Sequence, residues 1–497
     1  MPTKTSQLKP KATPESGQPK AKAKANQAQT DQTEARKAKT KASPTQTSQT
    51  KTRQANTDQA EASSTKTAPT KVRKTKAKAS QTKTTQQPAQ KAEPSAVVFS
   101  VETTQTCLSN LLAIVEPAVP TNPTHPMLGY LKIEVLPDAC RITAADTSYT
   151  ITATVGCETL HPGLGLLPTQ LVQVIKAIPP SERLALVGST LEGATKIQLS
   201  NGSGVISTTP IHLLADDFRV DDLTNPQFQH SLPAETLKLA LQTVVGSAGP
   251  KDKAILHAVR LTFEANTLIC QATDGHQITI ATLEAQELGR RRRQTTEPGP
   301  VECCLPLDTV KALIKLLTQA SKESEVQLRL DTGEAPKAQF HIQTDQAQVT
   351  LTGQCLADTY PDLQQVIESF TYGTSALVER NALLQQAKVI KAMDSKTPVA
   401  KLALGNASIH ISMDGNEVSG SQSVQASLDM PDPEFETSLN LDLLINLARS
   451  ATGDQLLLEF GSSESLIKLA PVASAIDGLT IVGYMMPVQV HQPDPST

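Results

Sequence analysis

The sequence predicts an α+β protein in which one unit, a short apolar strand followed by an amphipathic helix and further strands, occurs six times. One apolar residue marks each helix, and these residues recur every 60 to 73 positions. They are Leu108, Leu171, Leu237, Val310, Leu383 and Leu443. Such regular self-similarity indicates a copied structural unit whose copies bury their apolar faces against one another.

The predicted helices have apolar residues along one face. In the first helix, Leu108, Leu111, Leu112 and Val115 follow the i, i+3, i+4, i+7 spacing of an amphipathic helix. The third and fourth helices repeat this spacing with Leu237, Ala240, Leu241 and Val244, and with Val310, Leu313, Ile314 and Leu317. Prolines and acids are predicted in several first turns, where they suit the unpaired N–H groups. These residues are Pro233, Glu235, Pro306, Asp308 and Asp442.

Strands are predicted before and between the helices. Val259, Leu261 and Phe263 alternate with polar residues, and a turn then leads into a second apolar segment at 268–272. Because successive side chains of a strand point to opposite faces, this pattern predicts an antiparallel hairpin with one buried face. The other predicted strands are 97–101, 131–135, 141–144, 149–155, 228–232, 301–305 and 435–439.

Two units supply about 120 to 130 residues, which is a typical size for one compact domain. Polar connectors at 221–226 and 368–373 separate the units into three pairs. The sequence therefore predicts three tandem, similar domains at 97–224, 225–369 and 370–497, preceded by a tail at 1–96.

Composition separates the tail from the remainder of the chain. Residues 1–96 contain no Phe, Tyr, Trp, Ile or Cys, and they hold 20 Lys and Arg against 6 Asp and Glu. The other residues hold 26 basic and 43 acidic side chains, so the net charge of −3 combines a basic tail with an acidic body. A segment with so little apolar surface cannot offset its ordering entropy, and we predict that it is disordered.

Three interpretations of the tail remain open from the sequence. It could bind nucleic-acid phosphates through counterion release, lie against the acidic body, or act as a solvated spacer. The tail lacks the apolar core of a secretory signal.

Other features of the chain exclude several functional classes. No segment approaches the roughly 20 apolar residues needed to span a bilayer. The seven cysteines are odd in number and lack CxxC spacing, which argues against a zinc site or a disulfide framework and favours a reducing cytoplasm. The sequence also lacks GxxxxGK, HExxH and GxSxG motifs, so we predict a protein without catalytic activity, metal or cofactor.

Five short motifs resemble, in order and spacing, those of a known family. Thr273-Asp274-Gly275-His276 follows a strand, as does the TDGH motif of the bacterial sliding clamps, the beta subunits of DNA polymerase III. The other four motifs are Asn122–Leu128, Leu214–Phe218, Tyr360–Asp362 and Met486–Val490, which are similar to RPTxPIL, ADFP, FPD and MPMRL. An Asp-Gly pair alone is most often a hairpin turn, but five ordered motifs identify the chain as a divergent member of this family.

The resemblance implies the DNA clamp fold, closed into a ring by a head-to-tail homodimer. The helices would line a central hole that holds double-stranded DNA through its phosphates without reading sequence. Basic residues on or beside the helices, in a body that is otherwise acidic, support this implication. The residues expected to face DNA are Asn122, Lys176, Lys238, Lys251, Lys253, Lys311, Lys315, Lys388, Lys391 and Arg449, with Arg380 also basic.

The resemblance also implies a site for partner peptides between the second and third domains. Apolar walls with a few polar groups suit an extended peptide with hydrophobic anchors, and methionine adds adaptability. One side of the site would consist of Leu256, Thr273, Gly275, His276, Gln277 and Ile278. The other side would consist of Glu368, Tyr484, Met485, Met486, Pro487 and Val488.

Several positions depart from the family pattern. Asn122, Gln277 and Gln489 replace arginines, while Glu368 and Arg219 replace prolines. The site for peptides is therefore expected to be less cationic, and its preferred peptide to differ. The resemblance also places Met393 and Asp394 at the contact between subunits, where a buried, unpaired carboxylate would weaken a dimer.

By this resemblance, the expected function is to give a replicative DNA polymerase processivity, in the cytoplasm at the nucleoid. The implied partners are that polymerase, a clamp-loading ATPase and repair proteins with clamp-binding motifs. Two alternatives remain: a divergent accessory clamp that binds partners without forming a stable ring, and a nucleic-acid-binding protein that acts through its basic tail. The run Arg290 to Arg293 is expected in a surface loop, with or without a DNA contact.

Overall fold

A computed structural model of the protein describes residues 96–489, with gaps at 181, 221–222, 224–225, 265–266, 285–299, 322, 395, 397, 416, 432–433 and 475. The predicted tail, apart from Ala96, and the run Arg290 to Arg293 lie outside the described residues. Among the described residues, none of the helices combines the length and apolar character needed to cross a lipid bilayer.

The first pair of units contains two helices and nine strands. The first unit has β1 (Ala96–Thr104), α1 (Gln105–Val115), β2 (Tyr130–Leu136), β3 (Ala139–Ala145), β4 (Tyr149–Gly156) and β5 (Glu158–His161). The second has β6 (Gly163–Pro168), α2 (Gln170–Ala177), β7 (Arg183–Leu191), β8 (Ala194–Asn201) and β9 (Gly204–Ser207). Thr104 is the N-cap of α1, and its hydroxyl accepts a hydrogen bond from the Cys107 amide.

In its described residues, the second pair repeats this order with two α-helices and eight strands. Its first unit has β10 (Phe228–Pro233), α3 (Ala234–Val244), β11 (Ala258–Glu264), β12 (Thr267–Thr273) and β13 (Gln277–Glu284). Its second unit has β14 (Val301–Pro306), α4 (Leu307–Thr318), β15 (Glu325–Asp331), β16 (Lys337–Gln343) and β17 (Gln348–Gln354). Pro233 and Pro306 occupy the N-cap positions of α3 and α4, one residue earlier than the predicted first turns.

A short helix, α5 (Leu363–Glu368), links the second pair to the third. The third pair begins with β18 (Thr374–Glu379), α6 (Arg380–Lys391), β19 (Val399–Gly405), β20 (Ser408–Asp414) and β21 (Ser419–Asp429). It ends with β22 (Phe435–Asn440), α7 (Leu441–Ser450), β23 (Gln455–Phe460), β24 (Ile467–Pro471) and β25 (Leu479–Met485). The six predicted helices are thus present, and the fold is the predicted α+β arrangement of three similar pairs.

The strands of different pairs join into continuous antiparallel sheets. One sheet has the order β10-β15-β16-β17-β4-β3-β2-β6, so that β17 of the second pair is hydrogen-bonded to β4 of the first. A larger sheet joins β25 of the third pair to β13 of the second, within the order β14-β11-β12-β13-β25-β24-β23-β18-β21-β20-β19-β22. The third sheet, β5-β1-β7-β8-β9, ends at β9.

The helices pack against these sheets in pairs: α1 with α2, α3 with α4, and α6 with α7. Their apolar stripes form the core with the inward residues of the strands. Five of the six marker residues are buried, and Leu443 is half-buried at the edge of the core. Helix α3 also contacts α7, so the joint between the second and third pairs involves both a sheet and a helix contact.

The two joints between pairs differ on the face of the sheet opposite the helices. Along β13 and β25, Ile278 lies opposite Tyr484 and Ile280 opposite Val482. All four belong to an apolar cluster. At the equivalent place along β4 and β17, Thr152 lies opposite Thr350, in a polar groove of about 690 Å³.

Candidate peptide and nucleic-acid interfaces

The Thr273–Gln277 turn connects β12 to β13 and is held by its own side chains. The Asp274 carboxylate accepts hydrogen bonds from the amides of His276 (2.8 Å) and Gln277 (2.9 Å). The Thr273 hydroxyl donates to the Gln277 carbonyl (2.7 Å) and accepts from the Gly275 amide (3.1 Å). Small polar residues favour turns because they can bond to nearby backbone in this way.

Gly275 has a φ of +95°, which L side chains rarely adopt. Apart from Gly275 itself and its two chain neighbours, no described residue has an atom within 4 Å of where a Cβ would be. Gly275→Ala should therefore destabilise the protein through backbone strain alone, by about 1 kcal/mol or more in a urea unfolding experiment. Gly373→Ala is the matched control, because Gly373 has equally open surroundings and no positive φ. Equal stability of the two variants would contradict this assignment.

The chain after β25 crosses from the turn to the third pair. The Met486 amide donates to the His276 carbonyl (2.8 Å), and the Val488 amide donates to the Ser438 carbonyl (2.7 Å). Met486 is 38% exposed, and Pro487 and Val488 are half-buried. The predicted residues from both sides of the peptide site are thus adjacent at this joint.

An apolar cluster covers the outer face of the joint, the face opposite the helices. We call it the outer cluster; its buried members are Ile278, Cys304, Tyr360, Leu363, Leu466 and Tyr484. Half-buried residues packed against it include Ile255, Ile280, Leu356, Ile367, Phe370, Tyr372 and Val482. Apart from Ile278 and Tyr484, the predicted site did not include these residues.

Most of the missed residues come from the connector at 355–373. The sequence predicts a polar connector at 368–373, but Phe370 and Tyr372 pack against the outer cluster, as does Ile367 of α5, and Leu363 of α5 is one of its buried members. Helix α5 begins at Asp362, whose carboxylate accepts from the amides of Gln364 and Gln365. The spacing of Leu363, Ile367 and Phe370 is the signal that could have identified a short amphipathic helix here.

The predicted peptide-site residues lie on both faces of the sheet. Ile278 and Tyr484 face the outer cluster, whereas Gln277 and Met485 are buried on the helix side, as the alternation of strand residues requires. Leu256 is half-buried in the loop after α3, where its carbonyl accepts from the Gly249 amide (2.7 Å). Glu368 is exposed at the end of α5 and accepts a hydrogen bond from the Gln364 side chain.

Three tyrosines of the outer cluster stay protonated at neutral pH. Burial raises the pKa of Tyr484 to about 12 and raises the pKa of Tyr360 and Tyr372 as well. The Tyr360 hydroxyl accepts from the Thr273 amide (3.1 Å) and so links the connector to the turn. Each phenol also remains a neutral hydrogen-bond donor.

A charged pair lies at the edge of the outer cluster. Lys468 forms a 2.6 Å ion pair with Glu459, and its ammonium group lies 5.8 Å from the centre of the Tyr372 ring. Both charged side chains are only about a quarter exposed. The site thus has an apolar centre with a polar border, the usual anatomy of a peptide-binding surface.

Four of the ten predicted DNA-facing residues form ion pairs with acids. Lys176 pairs with Glu116 (2.8 Å), Lys238 with Glu235 (2.5 Å), Lys251 with Asp308 (3.2 Å) and Lys391 with Asp442. In every pair at least one partner is about half exposed. Pairs of this type contribute about 0 to 1 kcal/mol, so a phosphate can replace the carboxylate at little cost.

The other predicted DNA-facing residues are exposed and, within the described part of the chain, form no side-chain hydrogen bond or ion pair. They are Asn122, Lys253, Lys311, Lys315, Lys388 and Arg449. Lys388 and Arg449, with Lys391, line a cleft of about 400 Å³ between α6 and α7. Three cations and one acid, Asp442, give this cleft a positive balance.

The predicted subunit-contact residues follow the end of α6. Met393 is half-buried, and its side chain lies over Gly420 of β21, where a Cβ would come within 2.7 Å of the Met393 methyl. The half-buried Asp394 accepts a hydrogen bond from the Lys396 amide (2.9 Å). The Asp394 carboxylate thus has a local backbone partner in the single chain.

Comparison with known proteins shows which proteins this chain is similar to. A model of the DNA polymerase III beta subunit, central domain, matches residues 231–362. The beta sliding clamp of Synechococcus elongatus is 24% identical over 391 residues, which cover 77% of this chain and 97% of that protein. The chain is thus similar in sequence to the bacterial beta sliding clamps. The beta sliding clamp of Synechocystis is 21% identical over 398 residues, covering 78% of this chain and 98% of its own length.

Solved structures of sliding clamps have the same fold. That of Pseudomonas aeruginosa superposes with a TM-score of 0.69 at 18% identity, covering 79% of this chain and all of that one. That of Thermotoga maritima gives a TM-score of 0.65, with the same identity and coverage. Because almost the full length of these sliding clamps matches about four-fifths of the chain, this protein is longer than they are.

Proposed function

We propose that this protein is a non-catalytic sliding clamp, a head-to-tail dimeric ring that encircles duplex DNA and tethers a replicative polymerase to it. The main support is the arrangement of the strands at the joints. In each joint, the last strand of one pair bonds to the third strand after the first helix of a neighbouring pair: β17 to β4, and β25 to β13. The strands equivalent to these are β9, the last strand of the first pair, and β21, the third strand after α6 in the third pair. They are not hydrogen-bonded to each other within the chain.

The third joint of the same kind would need β9 of one chain and β21 of a second chain. Two such contacts close a ring of two chains, because the contact is heterologous and its rotation completes a circle. β9 is an edge strand, and among the described strands the 419–425 segment of β21 bonds to β20 alone, because β18 bonds to 426–429. The residues near both segments are suited to burial. Val205 and Ile206 of β9 are 64% and 40% exposed, and Val389 of α6 and Val418 beside β21 are 43% and 54% exposed.

The cleft between α6 and α7 supports contact with DNA. The helices lie on the face of the sheets opposite the outer cluster, so a ring with its helices inward would present Lys388, Lys391 and Arg449 to a duplex. Non-specific contacts to phosphates allow sliding because they carry no sequence information.

The outer cluster supports capture of partner peptides. A hydrophobic segment of a polymerase or repair protein would lie on Ile280 and Val482, beside Met486 and Pro487. Tethering raises the effective concentration of the polymerase at the primer end without any chemistry by the clamp. A clamp-loading ATPase would be needed to open a closed ring.

Retention on DNA of different topology tests the ring directly. The full chain, a clamp-loading ATPase complex and ATP would be incubated with nicked circular DNA, and the product filtered at about 0.5 M salt. A ring remains with the circle, and cutting the circle once releases it; high salt excludes phosphate binding alone as the cause. Loss from the intact circle, or retention after the cut, would reject the proposal. A variant without residues 1–96 should be retained on the circle as the full chain is. Loss of retention in this variant would instead favour DNA binding through the basic tail.

Removal of two helix cations should weaken binding to short duplexes. In Lys388→Ala with Arg449→Ala, each lost phosphate contact should make the negative slope of log affinity against log salt less steep by about 0.9. Fluorescence anisotropy of a labelled duplex at several salt concentrations measures this slope. Lys401→Ala is the control, since Lys401 alternates with the buried Ala400 and Leu402 and so lies on the face away from the core. An equal change in both variants would contradict the assignment of this surface to DNA.

A further inference from the structure

A chain of hydrogen bonds connects α7 to the Thr273–Gln277 turn. The Asn446 side-chain amide nitrogen donates to the Gly246 carbonyl (2.8 Å) and to the Gln277 side-chain oxygen (3.0 Å). The Gln277 side-chain nitrogen in turn donates to the Asp274 carboxylate (2.8 Å). The same carboxylate holds the amides of His276 and Gln277, so the chain ends on the group that shapes the turn.

Asparagine suits this position chemically. Its amide nitrogen has two hydrogens, and each one has an acceptor here, a carbonyl and an amide oxygen. Gln277 is only 5% exposed, so loss of the Asn446 donor would leave its buried side-chain oxygen without that hydrogen bond, which is unfavourable. Gly246 allows the approach, because a Cβ at that residue would lie 2.7 Å from the Asn446 side-chain oxygen.

The position of Gln277 separates this role from direct peptide contact. Its side chain lies on the helix side of the sheet, and the outer cluster lies on the other side. The resemblance placed Gln277 in the lining of the peptide site. The structure gives its side chain three partners instead, on α7, in the turn after α3, and on Asp274.

We propose that Asn446 and Gln277 are positioning residues, which hold the Thr273–Gln277 turn at the joint in the geometry that a partner peptide requires. Asn446 lies on α7 between Asp442 and Arg449, in the wall of the cationic cleft. The relay therefore links the helix proposed to face DNA with the turn proposed to bind peptide. This inference rests on the proposed peptide-binding function.

Asn446→Asp in the full chain tests this role with little change in shape. Aspartate offers no donor, and its charge would face two oxygen acceptors. We expect the affinity for a synthetic peptide, copied from the clamp-binding segment of the replicative polymerase, to fall about tenfold in calorimetry. Gln385→Glu on α6 is the control for added negative charge, because Gln385 is exposed and its side chain forms no hydrogen bond within the described residues.

Rescue separates positioning from general destabilisation. In Asn446→Asp with Gln277→Arg, the guanidinium can bridge the introduced carboxylate on α7 and the carboxylate of Asp274, so peptide affinity should return to within about threefold of the original. Hydrogen exchange of the amides of Gly275, His276 and Gln277 should accelerate in the single variant, and the exchange of Gly275 and His276 should slow again in the double variant. Unchanged exchange and affinity in Asn446→Asp, or a double variant no better than the single one, would overturn the proposal.

The exchange measurement does not require a peptide. If the unmodified protein failed to bind the peptide, the proposed peptide site would be wrong. Asn446→Asp would then still show whether the relay holds the turn: faster exchange, reversed in the double variant, would support that part, and unchanged exchange would refute it.

Discussion

Val205→Asp with Ile206→Asp is expected to convert a dimer into monomers at micromolar concentration. These residues lie on β9, the edge strand that would bond to β21 of a second chain. Two carboxylates without partners in that interface would each cost several kcal/mol, which corresponds to at least a thousandfold weaker association. Sedimentation velocity over a range of concentrations measures the change.

Leu160→Asp is the matched control for this experiment. Leu160 is 57% exposed and lies on β5, at the opposite edge of the same sheet. The control should dimerise as the unmodified protein does and should fold equally well. If the unmodified chain stayed monomeric at micromolar concentration, or if the β9 variant still dimerised, the ring would be excluded. The alternative of an accessory clamp without a stable ring would then be the better hypothesis.

Met486→Ala with Pro487→Ala should weaken binding of the polymerase peptide at least tenfold. Met486 offers a flexible apolar side chain beside the outer cluster, and Pro487 fixes the backbone next to it. A few anchor residues carry most of the binding energy of an interface, at about 2 kcal/mol or more each, and a tenfold loss needs only about 1.4 kcal/mol. Calorimetric titration of the synthetic peptide measures the effect.

The same double change should leave the fold intact. The Met486 amide keeps its hydrogen bond to His276, and the lost side chain is partly exposed, so the free energy of unfolding should change by roughly 0.5 kcal/mol or less. Val472→Ala, at an exposed position in the loop after β24, is the control for a surface truncation. Undiminished affinity of the double variant would show that the peptide binds elsewhere.

The sequence predicted the repeated units because their signals are local. Helical spacing at Leu108, Leu111 and Leu112, and alternation along 259–263, follow directly from the geometry of helices and strands. Five ordered motifs then indicated the arrangement of the units. The short helix α5 was missed because six residues are too few for a clear helical period. The apolar residues at 363 and 367, and the one at 370 just after the helix, are also separated by polar residues.

Features that depend on distant parts of the chain could not be predicted in this way. The Asn446 relay joins residues 169 positions apart in the sequence. No local pattern distinguishes an asparagine with two acceptors in distant parts of the chain from one facing solvent. The ion pair of Lys391 with Asp442 is similar, since each residue alone resembles an ordinary charge on a helix surface.

The contrast between the two joints has a consequence for traffic on DNA. Each chain has two similar joints, but only the one at β13 and β25 has an apolar outer face. The threonines at β4 and β17 offer no apolar surface to a hydrophobic ligand. A homodimer would then have two docking places, one on each subunit, rather than a complete set around the circumference. Two enzymes could then occupy one ring together, and a third would have to displace one of them, so exchange would depend on relative abundance and residence time.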